Sequence, residues 1–530
     1  MRGLSTAVPL VDLLPRYALG ATAFAVVGTP ILALLVLRVF RFAVRRSMRS
    51  ASRAAAKSAA TSSTSTSPAT ALVDDSPPDA ATGPPDPRPS AGSLTAVAGN
   101  RLRHVVGWYL VAGLSYAALA AVILLSINGQ DLLPLHTALL LMVFAWPLVP
   151  TLALVHAWSW SATGLAMAGY FGIIAALGLL DQAGAAAALL LWAFYMLPAS
   201  LVVAAVAPRP LRAVGPFLAP SMFVIGLGLA VWPSSGSAVL TAGVGVDLVE
   251  PTAFGLIALV AAATLLVVPL AAWRHKRKAV SDQSVLIDQW WLLFTLVPYL
   301  FSAHLGRSAL ALLLPYLGYL AVVGLGRNRS HRRALRRRPQ QLLLLRVFAA
   351  RSRSERLLHR LSAYWRLVGT VQLIAGTAAA AAPVEPDEFL NFARGVLPRQ
   401  FVRDETDLAA RLQRVDRAPD RDGRFRINRF YCDEDTWRPT VRELARSADV
   451  ILVDLRGLNA VHQDVAVELE LLARLGAIER TVGLVDRSTD RFFLRWVLHS
   501  ANAPALHTVE MDPRSARPLA LLRQLATVAG

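Results

Sequence analysis

One cysteine, Cys432, stands in 530 residues. That excludes a disulfide framework and any zinc or iron–sulfur site built from several cysteines. Charge is scarce as well: 17% of residues are charged, against roughly 25% in a typical soluble chain. Apolar residues make up 55% and the mean hydropathy is +0.47, which excludes a disordered chain, a collagen-like fibre and an ordinary cytosolic enzyme. Lysine is nearly missing, occurring at Lys57, Lys276 and Lys278, so the basic charge is almost all arginine. The chain has no P-loop, no GxGxxG and no HExxH, and so lacks the short signatures of those nucleotide and metalloprotease classes.

What is present is long apolar runs. A spanning helix needs about 20 mostly apolar residues, and nine stretches qualify at roughly 17–37, 105–127, 133–155, 160–180, 184–206, 214–232, 252–272, 288–304 and 308–326. The first is followed by Arg38, Arg41, Arg45 and Arg46 in place of a cleavage site, which reads as a signal anchor over 1–49. Net charge is +19, but residues 340–530 hold 28 basic and 24 acidic side chains and residues 1–339 hold 26 and 11. The excess therefore lies among the apolar runs, where arginine sets topology. A nucleic-acid patch is the competing reading, and it is disfavoured because the clusters abut runs of spanning length. Nine spans with the N-terminus outside bring every basic cluster to the cytoplasmic side of a bacterial inner membrane.

Residues 50–98 are rich in Ala, Ser, Thr and Pro and are expected to form a disordered tether. Residues 99–339 carry the eight further spans. Their interiors hold essentially no ionisable residue, which argues against an ion-coupled path, although prolines such as Pro147, Pro198 and Pro298 permit broken helices. Trp146, Trp158, Trp160, Trp192, Trp232, Trp273, Trp290 and Trp291 are expected in interface belts.

From Gln341 the pattern changes. Short apolar runs alternate with Arg-rich helical segments, which predicts βαβ units and a mainly parallel sheet over 340–530, an independently folded cytoplasmic α/β domain. Strands are expected near 342–348, 371–376, 425–430, 449–457, 480–486 and 506–511, and one long helical region over 385–415. Ligands of open parallel sheets bind beyond the carboxyl ends of the strands. That rule selects Arg351, Arg353 and Ser354 after the first strand, as a phosphate site or as a basic surface facing anionic lipid. At the end of the strand at 449–457 it selects Asp454, Arg456, Gly457 and Asn459, and then Asp464 and Glu468 on the following helix. Val465, Leu469 and Leu472 occupy the buried stripe, so Glu468 is expected toward the flank or the strand-end face of the helix, as a nucleophile or base or as a solvated glutamate. Cys432 reads as structural.

The run Ser447-Ala448-Asp449-Val450-Ile451-Leu452-Val453-Asp454-Leu455-Arg456-Gly457, followed by Val467-Glu468-Leu469, resembles a branch of the Rossmann-like nucleotide-binding domains that includes TIR domains and nucleoside 2-deoxyribosyltransferases. The resemblance covers about 40 residues. It implies a nucleotide ligand such as NAD, and it casts Glu468 as the residue acting at an N-glycosidic bond. The Gly-Thr pair that usually precedes that glutamate is replaced by His462-Gln463-Asp464, and the Trp-Cys motif of many TIR domains is missing. Four readings follow: a membrane-anchored nucleotide-binding signalling protein, an N-glycosidic-bond-cleaving enzyme, a transporter or channel with a regulatory domain, and a scaffold for a protein partner. Oligomerisation is left open.

Overall fold

Backbone N–H and C=O groups have no water to bond in lipid, so a long apolar run there closes its hydrogen bonds as a helix. In the computed structural model four helices are long and apolar enough to cross a membrane: Leu19–Arg46 within α1 (Leu10–Ser62), Leu94–Ile127 within α2 (Ala91–Ile127), Ser161–Leu180 within α5 (Trp160–Leu180), and α6 (Ala185–Val206). The pair α3 (Pro134–Ala145) and α4 (Leu148–Val155) makes a fifth if counted as one span bent by 43°. The bend falls at Trp146-Pro147, where the proline supplies no backbone N–H. The structure describes residues 10–62, 91–129, 131–206, 214–226, 273–301, 311–346, 361–375, 386–396, 400–432, 435–511 and 518–529, with a few isolated positions between them.

Hydropathy predicts nine spans, and the described residues hold fewer. Of the sixth, α7 (Gly215–Gly226) is described, an apolar helix shorter than a span, and 227–232 lie outside the described residues. The seventh lies outside the described residues. The eighth and ninth correspond to α8 (Asp282–Phe301) and α9 (Leu314–Leu335), and neither qualifies by length and composition among the described residues. One starts on acidic turns and the other ends in arginines. These two helices hold an ion pair that hydropathy places at span ends. Arg327 grips Asp288 with both terminal guanidinium nitrogens, Nη1 at 3.0 Å and Nη2 at 2.7 Å, and both side chains are buried.

Tryptophan placement also differs from expectation. Trp146, Trp192, Trp290 and Trp291 are buried in the main helical core. Trp146 stacks on Phe171, meets Trp192 edge-on and donates to Ser200 Oγ at 2.9 Å. The helices pack on one another, so these indoles fill helix–helix seams. Trp158 and Trp273 remain exposed, as an interface belt requires.

The C-terminal domain is a seven-stranded, all-parallel sheet in the order β3-β4-β2-β1-β5-β6-β7. The strands are β1 (Gln340–Arg346), β2 (Gly369–Ala375), β3 (Phe401–Val402), β4 (Ile427–Cys432), β5 (Val450–Asp454), β6 (Thr481–Val485) and β7 (His507–Glu510). Leu343, Leu345, Ile451 and Val453 face one layer, with α11 (Glu405–Gln413), α12 (Trp437–Ser447), α13 (Gln463–Arg474) and α14 (Arg491–Ser500) supplying its other half. Leu342, Leu344, Val450 and Leu452 face the other, against Trp365 and α15 (Pro518–Ala529). The alternation is the period of two expected of strands buried on both faces. The single helical region expected over 385–415 is split into α10 (Pro386–Ala393), the edge strand β3 and α11. Asp404 starts α11 by accepting the Asp407 N–H.

The second layer is completed by a membrane helix. Leu94 and Ala98 of α2 pack with Leu361, Trp365 and Leu525 on the sheet. Residues 91–98 are therefore helical, as are 50–62 at the end of α1, while 63–90 lie outside the described residues. At 1.5 Å per residue α2 is about 55 Å long, well beyond the ~30 Å hydrocarbon core, so its first turns are free to serve the domain. Loops entering the strands fasten the two regions. Before β4, Asp416 pairs with Lys278, Asp422 accepts from Ser281, and Arg426 donates to the His275 carbonyl. Before β2, Arg101 donates to the Leu367 carbonyl, and Leu367 packs in the membrane-region core. The domain is thus not independent of the helices that precede it.

Candidate functional site

The sheet turns outward in both directions from its middle. The chain leaves β1 toward β2 and β4 on one side, whereas β5, β6 and β7 build the other. The switch point falls between β1 and β5, whose last registered pair is Arg346 with Asp454. A crevice at the carboxyl ends of such a pair is where open α/β sheets take ligands.

Asp454 ends β5 and is buried. Arg456, two residues on, folds back on it. Its Nε and Nη2 each lie 2.7 Å from a carboxylate oxygen, and its backbone N–H adds a third contact at 3.3 Å. Burial opposes the charge of Arg456, but the paired Asp454 and nearby Asp486 overcome it and raise its pKa. The guanidinium is therefore part of a bidentate pair, not a mobile phosphate hook. Gly457 follows at φ +79°, a conformation suited to glycine.

Asp486 occupies the equivalent place beyond β6. It accepts from the Ser488 N–H at 3.0 Å, from Ser488 Oγ at 2.6 Å and from Thr489 Oγ1 at 3.2 Å. Burial alone would raise its pKa. The Ser488 and Thr489 donors, with the Gly457 N–H, outweigh that and hold it low. Thr489 Oγ1 also contacts the Leu455 carbonyl at 3.0 Å, so the two strand-end loops are sewn together. The strand-end rule applied to β6 as well as to β5 finds Asp486, Ser488 and Thr489, which went unselected in the sequence.

Glu468 lies on α13. Its flank position is not solvated: the side chain is 8% exposed, and its Oε2 has no hydrogen-bond partner among the described residues. Helical spacing puts it one residue before Leu469 on the buried stripe, and its side chain is buried along with Val465, Leu469 and Leu472. Burial, followed by the charge of Asp464, pushes its pKa up to about 8. At neutral pH it is a carboxylic acid, able to donate a proton or a hydrogen bond. Asp464 itself is exposed in the first turn. Asn459 is exposed as well and orders the turn before α13, with its side chain accepting the Val461 N–H at 3.1 Å. Arg351, Arg353 and Ser354 lie outside the described residues.

Asp454, Arg456 and Gly457 are thus joined with Asp486 in one network. Glu468 and Asp464 interact by charge on the adjacent helix, and Asn459 shapes the turn between. The Ala448-Asp449 dipeptide has a structural task at the opposite end of β5: Asp449 accepts the Gln341 N–H at 2.8 Å and starts β1 beside β5. Cys432 is buried against Thr440, as a structural cysteine is. No cluster of three or more metal-ligating side chains occurs among the described residues. Comparison of the chain with protein-family models, curated proteins and solved structures gives no match.

Proposed function

We propose that this is a multi-pass membrane protein of the bacterial inner membrane whose cytoplasmic α/β domain binds a nucleotide-like ligand, NAD among the candidates, and passes that state to the helices. One observation carries the reading: the strand ends beside the β1/β5 switch point bring together two buried, hydrogen-bonded aspartates, Asp454 and Asp486, with the buried Glu468 on the helix between their strands. Such groups suit the hydroxyls and ring nitrogens of a nucleoside better than a bare phosphate, because Arg456 is already held by Asp454. The extended core that α2 shares with the sheet supports a signalling role. The full-length chain in nanodiscs is expected to bind NAD or another nucleotide in calorimetry, with affinity falling at least tenfold in Asp486→Ala. No heat with a broad nucleotide panel overturns the reading.

The enzymatic alternative rests on Glu468. A buried acid with a pKa near 8 is suited to proton transfer to a leaving group at an N-glycosidic bond. Release of free base from a nucleoside by the full-length protein, abolished in Glu468→Gln, is the expected result. Equal rates in the two proteins reject it.

A further inference from the structure

Independently of the nucleotide reading, we propose that the notch between α2 and α9, from Arg101 to Trp108, binds the phosphate of an anionic membrane lipid. Two helices meet there without a spacer. Trp108 lies across Gly326, where an added Cβ would come within 2.3 Å of the indole. The Trp108 Nε1–H points to His104 Nε2 at 3.1 Å, and the Arg329 guanidinium sits 5.1 Å above the indole ring. Arg329 and Arg333 lie one turn apart on one face of α9, and Arg337 follows two residues beyond its end. The charges of Arg333 and Arg329 act on His104, and that of Arg337 acts on Arg101. Arg101 also donates to the Arg333 carbonyl at 3.2 Å.

Like charges are thereby gathered on two helices without compensation. Neither α2 nor α9 contains an acidic residue. Among the described residues no carboxylate forms an ion pair with Arg101, Arg103, Arg329, Arg333 or Arg337. An anion offsets that repulsion. Depth decides its chemistry: below Trp108 both helices are apolar, and above it both are basic. The notch therefore sits where a bilayer carries its headgroups, with an indole at the interface. Guanidinium forks match the oxygens of a phosphate, and basic pockets between spanning helices take anionic headgroups. Acyl chains would follow the exposed apolar flank of α2, at Val111, Leu114 and Leu119.

The test uses the full-length chain in neutral detergent, with phosphatidylglycerol, cardiolipin, phosphatidylcholine and glycerol 3-phosphate as probes, read by native mass spectrometry. One retained phosphatidylglycerol or cardiolipin per chain is expected, with at least fivefold weaker retention in Arg329→Gln/Arg333→Gln. Arg332→Gln/Arg336→Gln removes the same charge from another position on α9 and from the residue that caps its C-terminus, and is expected to retain the lipid. If the first double variant does not fold, Arg329→Gln alone carries the test. Equal retention of phosphatidylcholine, equal loss in both double variants, or full competition by glycerol 3-phosphate overturns the proposal.

Discussion

At the scale of single residues, two buried acids behave in opposite ways. Glu468 Oε2 has no hydrogen-bond partner among the described residues and burial pushes the carboxyl's pKa up, whereas Asp288 is gripped by Arg327 through two hydrogen bonds. The folded-state pKa of Glu468 lies above its ordinary value of 4.5, at about 8. The native state therefore holds a proton that the unfolded chain loses, and stability falls as pH rises from about 4.5 to 8 and then levels off. The whole window corresponds to at most about 5 kcal/mol at ~1.4 kcal/mol per unit. Glu468→Gln is expected to flatten this fall, seen as a melting temperature that changes less between pH 5 and 8 than in the unaltered protein. An unchanged pH slope would show that the burial of Glu468 has no such energetic consequence. Asp288→Ala leaves an uncompensated guanidinium between α8 and α9 and is expected to cost about 3–5 kcal/mol. Replacing both partners by leucine and methionine is expected to recover most of it, measured by thermal unfolding in detergent.

At the scale of elements, close approaches decide which changes are tolerated. Gly369 opens β2 opposite Gln340, and a Cβ there would lie 1.8 Å from the Gln340 carbonyl oxygen. Gly369→Ala is expected to break the first rungs of the β1–β2 ladder and to lower expression of folded protein sharply, with Gly395→Ala, which meets no neighbouring atom, far milder despite its positive φ. The strands and most helices of this domain were legible because their apolar runs have the length and period of buried strands and amphipathic helices. β3 was not, since a two-residue edge strand leaves no period to read. The buried tryptophans were misplaced for a similar reason: hydropathy reports that a residue avoids water but does not say whether lipid or another helix receives it.

At the scale of the whole molecule, the boundary between membrane region and domain is a shared core. Leu94 and Ala98 cover the sheet from the membrane side of the chain. A 340–530 fragment is therefore expected to bind a hydrophobic dye and to melt earlier than the domain in the full chain. A peptide spanning 91–104 is expected to reduce the dye signal, and a fragment indifferent to that peptide would contradict the shared core. Ligand binding at the β1/β5 switch point is expected to raise the melting temperature of the full chain in proportion to the logarithm of ligand concentration, with about 2.7 kcal/mol gained at a hundred times Kd.

Composition and periodicity alone determined the partition of this chain into apolar helices followed by a parallel α/β domain, because burial on both faces of a sheet and immersion in lipid each impose a pattern along the chain. They also selected Asp454, Arg456 and Gly457, since strand ends are marked by the change from apolar to polar. Only the tertiary structure decided that Arg456 is spent on Asp454, that Asp486 joins them, that Glu468 is shut away from water, and that α2 belongs to both regions. Those facts depend on contacts between segments distant in sequence, and local hydropathy carries no record of which partner a side chain meets.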